Sequence, residues 1–164
     1  MKPALEAEIA RRVQRHWHEA VPDDRMAHLV KDASRAFLRA LQVRLAPHGV
    51  QLGHWVFLRI LWQRDGLTKR ELSAEAGVME PTTFVALRAM QALGYVVLEQ
   101  LQHNRKNVYV RLTPEARRLE EVLVPLAREV NRIAMANLDE AAIRVTRRSL
   151  LTMVDNLARD AGAG

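Results

Sequence analysis

The side chains with chemical reach fall into two sets. The first runs from Thr68 through Pro81, Thr82, Thr83, Val85 and Arg88 to Asn104, Arg105 and Lys106. Hydroxyls, an amide and cations of this kind hydrogen-bond to phosphates and base edges, and small apolar groups touch thymine methyls. The second set is Arg35, Arg39, His54 and Trp55. A cation and an imidazole beside an aromatic wall are what an aryl carboxylate or a thioester headgroup needs in a mostly apolar cleft. The apparatus for bond making is missing. There is no Gly-rich phosphate loop, no Ser nucleophile elbow, no metalloprotease motif and no carboxylate pair in a strand-end setting, so an enzyme is not expected.

Metal chemistry is equally poorly served. The histidines are His16, His18, His28, His48, His54 and His103, and cysteine is absent. His16 and His18 would diverge on a helix, because side chains two apart do not share a face. No His-x3-His pair occurs. Without cysteine, disulfides, thiolate metal sites and thiol redox sensing are excluded. The sequence therefore predicts no metal and no cofactor, and leaves a zinc-responsive regulator as a remote alternative.

Composition narrows the class further. The 164 residues suit one compact domain, or one domain with added helices. Apolar residues make up 49% and aromatics 5%; with Leu, Ala, Val and Arg dominant, that mix favours helices over an all-β fold. Lys plus Arg number 25 against 19 for Asp plus Glu, a net charge of +6. Such a surplus favours polyanionic partners, nucleic acid first and acidic membrane second. Residues 1–51 carry 9 basic and 6 acidic groups, residues 52–113 carry 8 and 5, and residues 114–164 carry 8 and 8. The surplus thus precedes a balanced tail suited to packing against a partner. The charged start MKPALEAEIARRVQRHWHEA has no apolar core of a secretory signal. No apolar run approaches the roughly 20 residues that span a membrane, so the expectation is a soluble, cytoplasmic protein.

The elements that must position these side chains follow from periodicity. Residues 4–20 read as a helix ended by Val21-Pro22. Asp23-Asp24 can cap a second, at about 25–47, with Leu29, Ala33, Phe37, Leu41 and Leu45 at helical spacing and Gly49 placed for a left-handed cap. A third covers 52–64 and closes at Asp65-Gly66. Thr68-Lys69-Arg70-Glu71 is a capping box that opens a short helix ending at Gly77. Pro81 suits the first position of another, running to Leu93 and Gly94. Two short helices across a Gly-containing turn are a helix-turn-helix signal.

Residues 95–101 are β-branched and aromatic, and 107–112 alternate with period two, so a hairpin is expected with a polar tip at Gln102–Lys106. Thr113-Pro114 opens a long helix striped by Leu119, Val122, Leu123, Leu126, Val130 and Ile133, with Pro125 inside it as a bend. Asp139 caps a last helix to about Arg159, striped by Ile143, Leu150, Val154 and Leu157, and Ala161–Gly164 should fray. The fold class is mainly α with a small β-hairpin wing: a winged helix-turn-helix at 51–113, flanked by dimerisation helices at 1–50 and 114–164.

Together these parts would suit DNA. The helix at 81–93 would enter the major groove and the hairpin tip would reach phosphates or the minor groove. The flanking helices carry more apolar stripe than one small domain covers, so a second copy would pair with them. A two-fold dimer reads a pseudo-palindrome with half-sites about one helical turn apart.

Within the 81–93 helix, Phe84 and Val85 would touch thymine methyls, and Thr82 and Arg88 base edges or phosphates. Thr83, Leu87 and Met90 lean toward the core, Thr83 being kept in the candidate DNA set. Arg88 alternatively pairs with a surface acid. Arg105 and Lys106 alternatively form a solvated turn. Trp55 and Trp62 share a helix face, which reads first as core packing and second as the wall of a ligand pocket.

From Leu52 to Thr113 the chain resembles the MarR (multiple antibiotic resistance regulator) family. The features that carry the likeness are LGHWVFLRIL with Trp55, GLTKRELS at 66–73, EPTTFVALRAM at 80–90, LGYV at 93–96 and NRKNVYVRLTP at 104–114. The resemblance implies an obligate homodimer and a repressor released by a small, often aromatic or phenolic, effector. Its Asp-Arg-Arg wing motif falls on Asn104, Arg105 and Lys106, two of which depart from it. Either Lys106 or, with a wing one residue longer, Arg105 then takes the minor-groove role. Val85 stands where the family often has a basic residue. A ligand-independent architectural DNA-binding protein is the alternative function.

Overall fold

The computed structural model describes residues 25–101 and 104–162, together with residues 8, 9, 11, 12, 14 and 15, which are helical. Of residues 101 and 104–106 it describes the backbone. The predicted helix end at Val21-Pro22, the Asp23-Asp24 cap and the fraying of Ala163-Gly164 lie outside these residues.

Helix α1 spans Met26–Leu45 and tightens into a 3-10 turn at Ala46–His48. Gly49 then takes a φ of 71°, the left-handed cap its position called for. The Gln42 side-chain carbonyl accepts from the Leu52 amide at 3.1 Å, meeting one orphan donor at the start of α2, Leu52–Gln63. Helix α2 buries His54, Trp55, Phe57, Leu58 and Leu61. These residues recur three and four apart, so one broad stripe enters the core.

Strand β1, Leu67–Thr68, leads into helix α3, Lys69–Ala76, and helix α4, Glu80–Ala92. Strands β2, Val96–Leu101, and β3, Asn104–Leu112, form the hairpin. Helices α5, Pro114–Ala134, and α6, Glu140–Ala161, complete the described chain.

The sheet differs from expectation in two ways. It has three strands in the order β1-β3-β2, all antiparallel, with Leu67 opposite Val110 and Val96 opposite Leu112. A two-residue strand carries no readable period, so β1 was not expected. In addition, β3 begins at Asn104, so Asn104, Arg105 and Lys106 continue the strand rather than form the turn. Leu101 pairs with Asn104, and a bulge between Glu99 and Leu101 absorbs the register shift. Smaller differences are that α4 starts at Glu80, which puts Pro81 second in the helix, and that α6 runs on to Ala161.

Two compact units divide the chain, one ending at Ala127 and the other beginning at Arg128. In the first, Leu45, Leu58, Leu61, Leu72, Leu87, Met90, Val96, Val110 and Leu123 are fully buried in one core. The early turns of α5 thus belong to that core, with Leu119 and Leu126 partly buried against it and Val122 exposed. The Trp62 indole N–H donates to the Ala116 carbonyl at 2.8 Å, satisfying a polar edge that burial would otherwise strand. In the second unit Val130 is buried, and α6 buries no residue at all. Of the α1 stripe only the C-terminal end is covered: Leu45 is buried and Leu41 partly so, whereas Leu29 and Phe37 are exposed.

Candidate nucleic-acid interface

Helix α3 is fixed at its start by the expected capping box. The Glu71 amide donates to Thr68 Oγ1 at 3.2 Å, and the Thr68 amide donates to Glu71 Oε2 at 2.8 Å. The Thr68 hydroxyl also donates to Glu71 Oε2, at 2.7 Å. Bonds from Thr68, backbone first and hydroxyl second, hold the Glu71 carboxyl below its ordinary range. Thr68 therefore positions α3, with its hydroxyl proton already committed.

The turn between α3 and α4 needs Gly77, whose φ is 63°. Behind that turn Ser73 Oγ lies within hydrogen-bond distance of both Thr83 Oγ1, at 2.8 Å, and the Lys69 carbonyl, at 2.9 Å. Thr83 is 1% exposed. This removes it from the DNA-contacting set, because its hydroxyl locks the two helices together inside the core. Leu87 and Met90 are buried on the same face, as their spacing required.

The opposite face of α4 carries Pro81, Thr82, Phe84, Val85 and Arg88, all exposed. Thr82, Val85 and Arg88 recur every three residues, so they share one surface strip. The Phe84 ring has two cations over it: Lys69 Nζ at 5.1 Å from its centroid and Arg88 Cζ at 5.3 Å. Among the described residues neither cation makes an ion pair. The alternative of Arg88 paired to a surface acid does not occur among them. Sequence reasoning assigned Phe84 only to thymine methyls and missed Lys69; a Lys fifteen residues from an exposed Phe gives no sequence signal, because tertiary folding brings them together.

The wing root is tied by side chains of several elements. Arg111 Nε donates to Glu99 Oε2 across β2 and β3 at 2.8 Å. Asp65 accepts from the Leu112 amide at 2.9 Å and from the Arg117 guanidinium. Thr113 Oγ1 donates to the Gly94 carbonyl at 2.7 Å and accepts from the Ala116 amide at 3.2 Å, so it caps α5 while holding the end of α4. Asp65 was read only as the close of a helix, and its role in clamping the wing was missed. At Asn104, Arg105 and Lys106 the backbone continues β3 outward to the hairpin end.

The second candidate set is less unified. Arg35 and Arg39 are exposed on α1, while His54 and Trp55 are buried at the start of α2. Among the described residues no hydrogen bond, ion pair or ring contact joins these arginines to His54 or Trp55. Trp55 packs edge-on against Trp62, with centroids 5.7 Å apart, which is the core-packing reading of that pair. The His54 ring lies 6.3 Å from that of Tyr95, whose hydroxyl donates to the Gly49 carbonyl at 3.3 Å. His54 Nδ1 is buried without a partner among the described residues. Burial lowers the pKa of this imidazole. The described residues hold no cluster of three or more histidine or carboxylate side chains able to bind a metal ion, and no described helix is long and apolar enough to cross a membrane.

The fold that carries this helix-turn-helix and hairpin recurs in known proteins. A MarR transcriptional regulator from Methanosarcina mazei superposes with a TM-score of 0.75, over 88% of this chain and 97% of its own, at 22% identity. The chain has the MarR winged-helix fold. A MarR-family regulator of Listeria monocytogenes, solved in complex with a 26-mer DNA, has the same MarR fold, with a TM-score of 0.74 over 84% of this chain and 91% of its own at 18% identity. In sequence, the chain is 29% identical over 136 residues to the HTH-type transcriptional regulator TtmR of Methylorubrum extorquens. That match takes in 83% of this chain and spans 65% of TtmR. No protein-family model matches. The two structures and TtmR are each named as transcriptional regulators.

Proposed function

We propose that the chain is a sequence-specific, double-stranded-DNA-binding transcriptional regulator of the MarR type, acting in the cytoplasm as a homodimeric repressor. Residues 51–113 bind DNA, and the helices at 1–50 and 114–164 join the two copies. The observation that carries this reading is the exposed strip Thr82, Val85 and Arg88 on a helix locked from behind through Thr83 and Ser73. A rigid helix with that strip outward suits a major groove, and the charge surplus of residues 1–113 suits its phosphates. A MarR-fold neighbour solved with DNA is consistent with it.

A small aromatic or acidic effector releases the DNA by favouring an arrangement of the two winged domains whose spacing no longer fits one helical turn. Support for an effector site near His54 comes from its buried Nδ1, since native interiors rarely leave such a group unmatched. Arg35 and Arg39 would supply the countercharge and Trp55 an apolar wall.

Selection of bound duplexes from a random pool, with and without candidate aryl acids, tests these claims together. A recovered pseudo-palindrome that is lost with an aryl acid is the expected result. Equal binding of all duplexes, set by salt alone, would instead identify a ligand-independent architectural protein. On the recovered site, Lys106→Ala or Arg105→Ala should weaken binding across sequences and lower the salt slope by about one unit. An unchanged slope in both removes the wing from the contact surface.

A further inference from the structure

We infer that Phe84 is a positioning residue for DNA binding: its exposed ring holds Lys69 from one helix of the motif and Arg88 from the other as a preorganised cation pair. The inference rests on the DNA-binding reading above and concerns how that surface is ordered before DNA arrives.

The geometry is specific. Lys69 is the first residue of α3, and Arg88 lies one turn after Phe84 on α4. Both cationic centres fall within the roughly 6 Å at which a ring's negative face attracts a cation. Phe84 itself is 47% exposed, so its ring is not fully taken up by the core, although Thr83 beside it is buried. Free Lys and Arg side chains sample many rotamers, and fixing them on DNA costs entropy at the moment of binding. A shared ring restricts both beforehand.

This arrangement has a consequence for how the contact is built. The first two turns of α4, Glu80–Leu87, contain no cation, and Glu80 adds a negative charge there. Positive charge at this end of the groove-facing surface must come from neighbours, and Phe84 gathers the two that the fold places closest to its ring. Meanwhile Thr82 and Val85 stay clear on the adjoining strip. Phe84 therefore controls affinity through the cations, and its effect should differ in kind from that of removing a charge.

The test uses the full-length protein and a duplex recovered by selection, with binding read by fluorescence anisotropy over a salt series. Phe84→Leu and Phe84→Ile should each weaken binding by up to roughly ten-fold, the ordering cost of two long side chains that the ring no longer spares. The salt slope should change by less than about half a unit, because both charges remain. Lys69→Gln should instead lower the slope by about one unit. Its effect on affinity should shrink in the Phe84→Leu background, and Phe84→Tyr, which keeps the ring, should stay near wild type. Thermal melts check that each variant is folded.

Wild-type affinity in both Phe84→Leu and Phe84→Ile overturns the inference. So does strict additivity with Lys69→Gln, or a slope that falls by a full unit when only the ring is removed. If the wild-type protein prefers no duplex, the DNA-binding regulator reading itself fails, and this inference with it.

Discussion

His54 is where one atom makes a measurable prediction. Its ring is buried, its Nδ1 lacks a partner among the described residues, and burial holds its pKa below the ordinary imidazole value. The nearby Tyr95 phenol is pushed the other way, by burial first and the Glu115 charge second, so it stays neutral and offers no countercharge. With a lowered folded pKa, the unfolded chain takes up the proton first as pH falls. The contribution to stability is therefore full above the ordinary imidazole pKa and is lost as pH drops through the interval down to the folded value. Urea unfolding of wild type and His54→Leu from pH 7.5 to 5 reads this directly. Wild type should lose stability faster than the variant on the acid side. Parallel curves would mean that the imidazole titrates alike in both states. Thr82 and Thr83 are adjacent hydroxyls of one type, yet one faces solvent and the other the core, as the helical spacing of Thr83 with Leu87 and Met90 leads one to expect. The difference of 100° per residue decides it, and what the sequence could not supply is the Ser73 hydroxyl, ten residues earlier, that meets Thr83 in the core.

At the scale of elements, the capping box of α3 is the feature most open to test. Thr68→Ala removes the acceptor for the Glu71 amide and one donor to its carboxylate. Loss of such a cap costs about 1 kcal/mol. A lowered denaturation midpoint with an unchanged slope against denaturant is expected; an unaltered midpoint would show that tertiary packing holds α3 without its cap. Caps of this kind are why most helix limits were legible in the sequence: Thr68, Gly77, Thr113 and Asp139 each act through a local hydrogen bond or backbone angle. Asp139, for example, accepts from the Ala142 amide at 2.7 Å as a helix cap should. What was not legible is non-local. Strand β1 exists because Leu67 and Thr68 pair with Val110 and Tyr109 some forty residues on. The extension of β3 through Lys106 follows from pairing of Asn104 with Leu101, which overrides the turn tendency of a polar run. The Asp65 clamp and the two cations on Phe84 are likewise products of chain folding, invisible to any window of sequence.

The whole molecule carries apolar faces that its own fold does not cover. On α6, Leu150, Leu151, Val154 and Leu157 recur at helical spacing and are all exposed, Leu157 to 70%. On α1, Met26, Leu29, Val30 and Phe37 are exposed too. Fully burying one such side chain yields about 1.5–3 kcal/mol; these are already part covered, so four from α6 of each of two copies would contribute an amount of the same order as an association cost of roughly 4–15 kcal/mol. On the proposed reading, a second copy of the chain would bring a matching face by symmetry, as a regulator gripping two half-sites would need. Replacing Val154 and Leu157 together by Glu should yield a monomer in sedimentation at micromolar concentration. The helix content should stay near wild type, because neither residue is buried within the chain. Affinity for the full palindrome should fall by at least a hundred-fold, while weak binding to a half-site persists, since two tethered contacts gain about that factor over one. A double variant that still sediments as a dimer would place the seam elsewhere than α6, and a wild-type monomer would separate the winged helix from any two-fold reading of DNA.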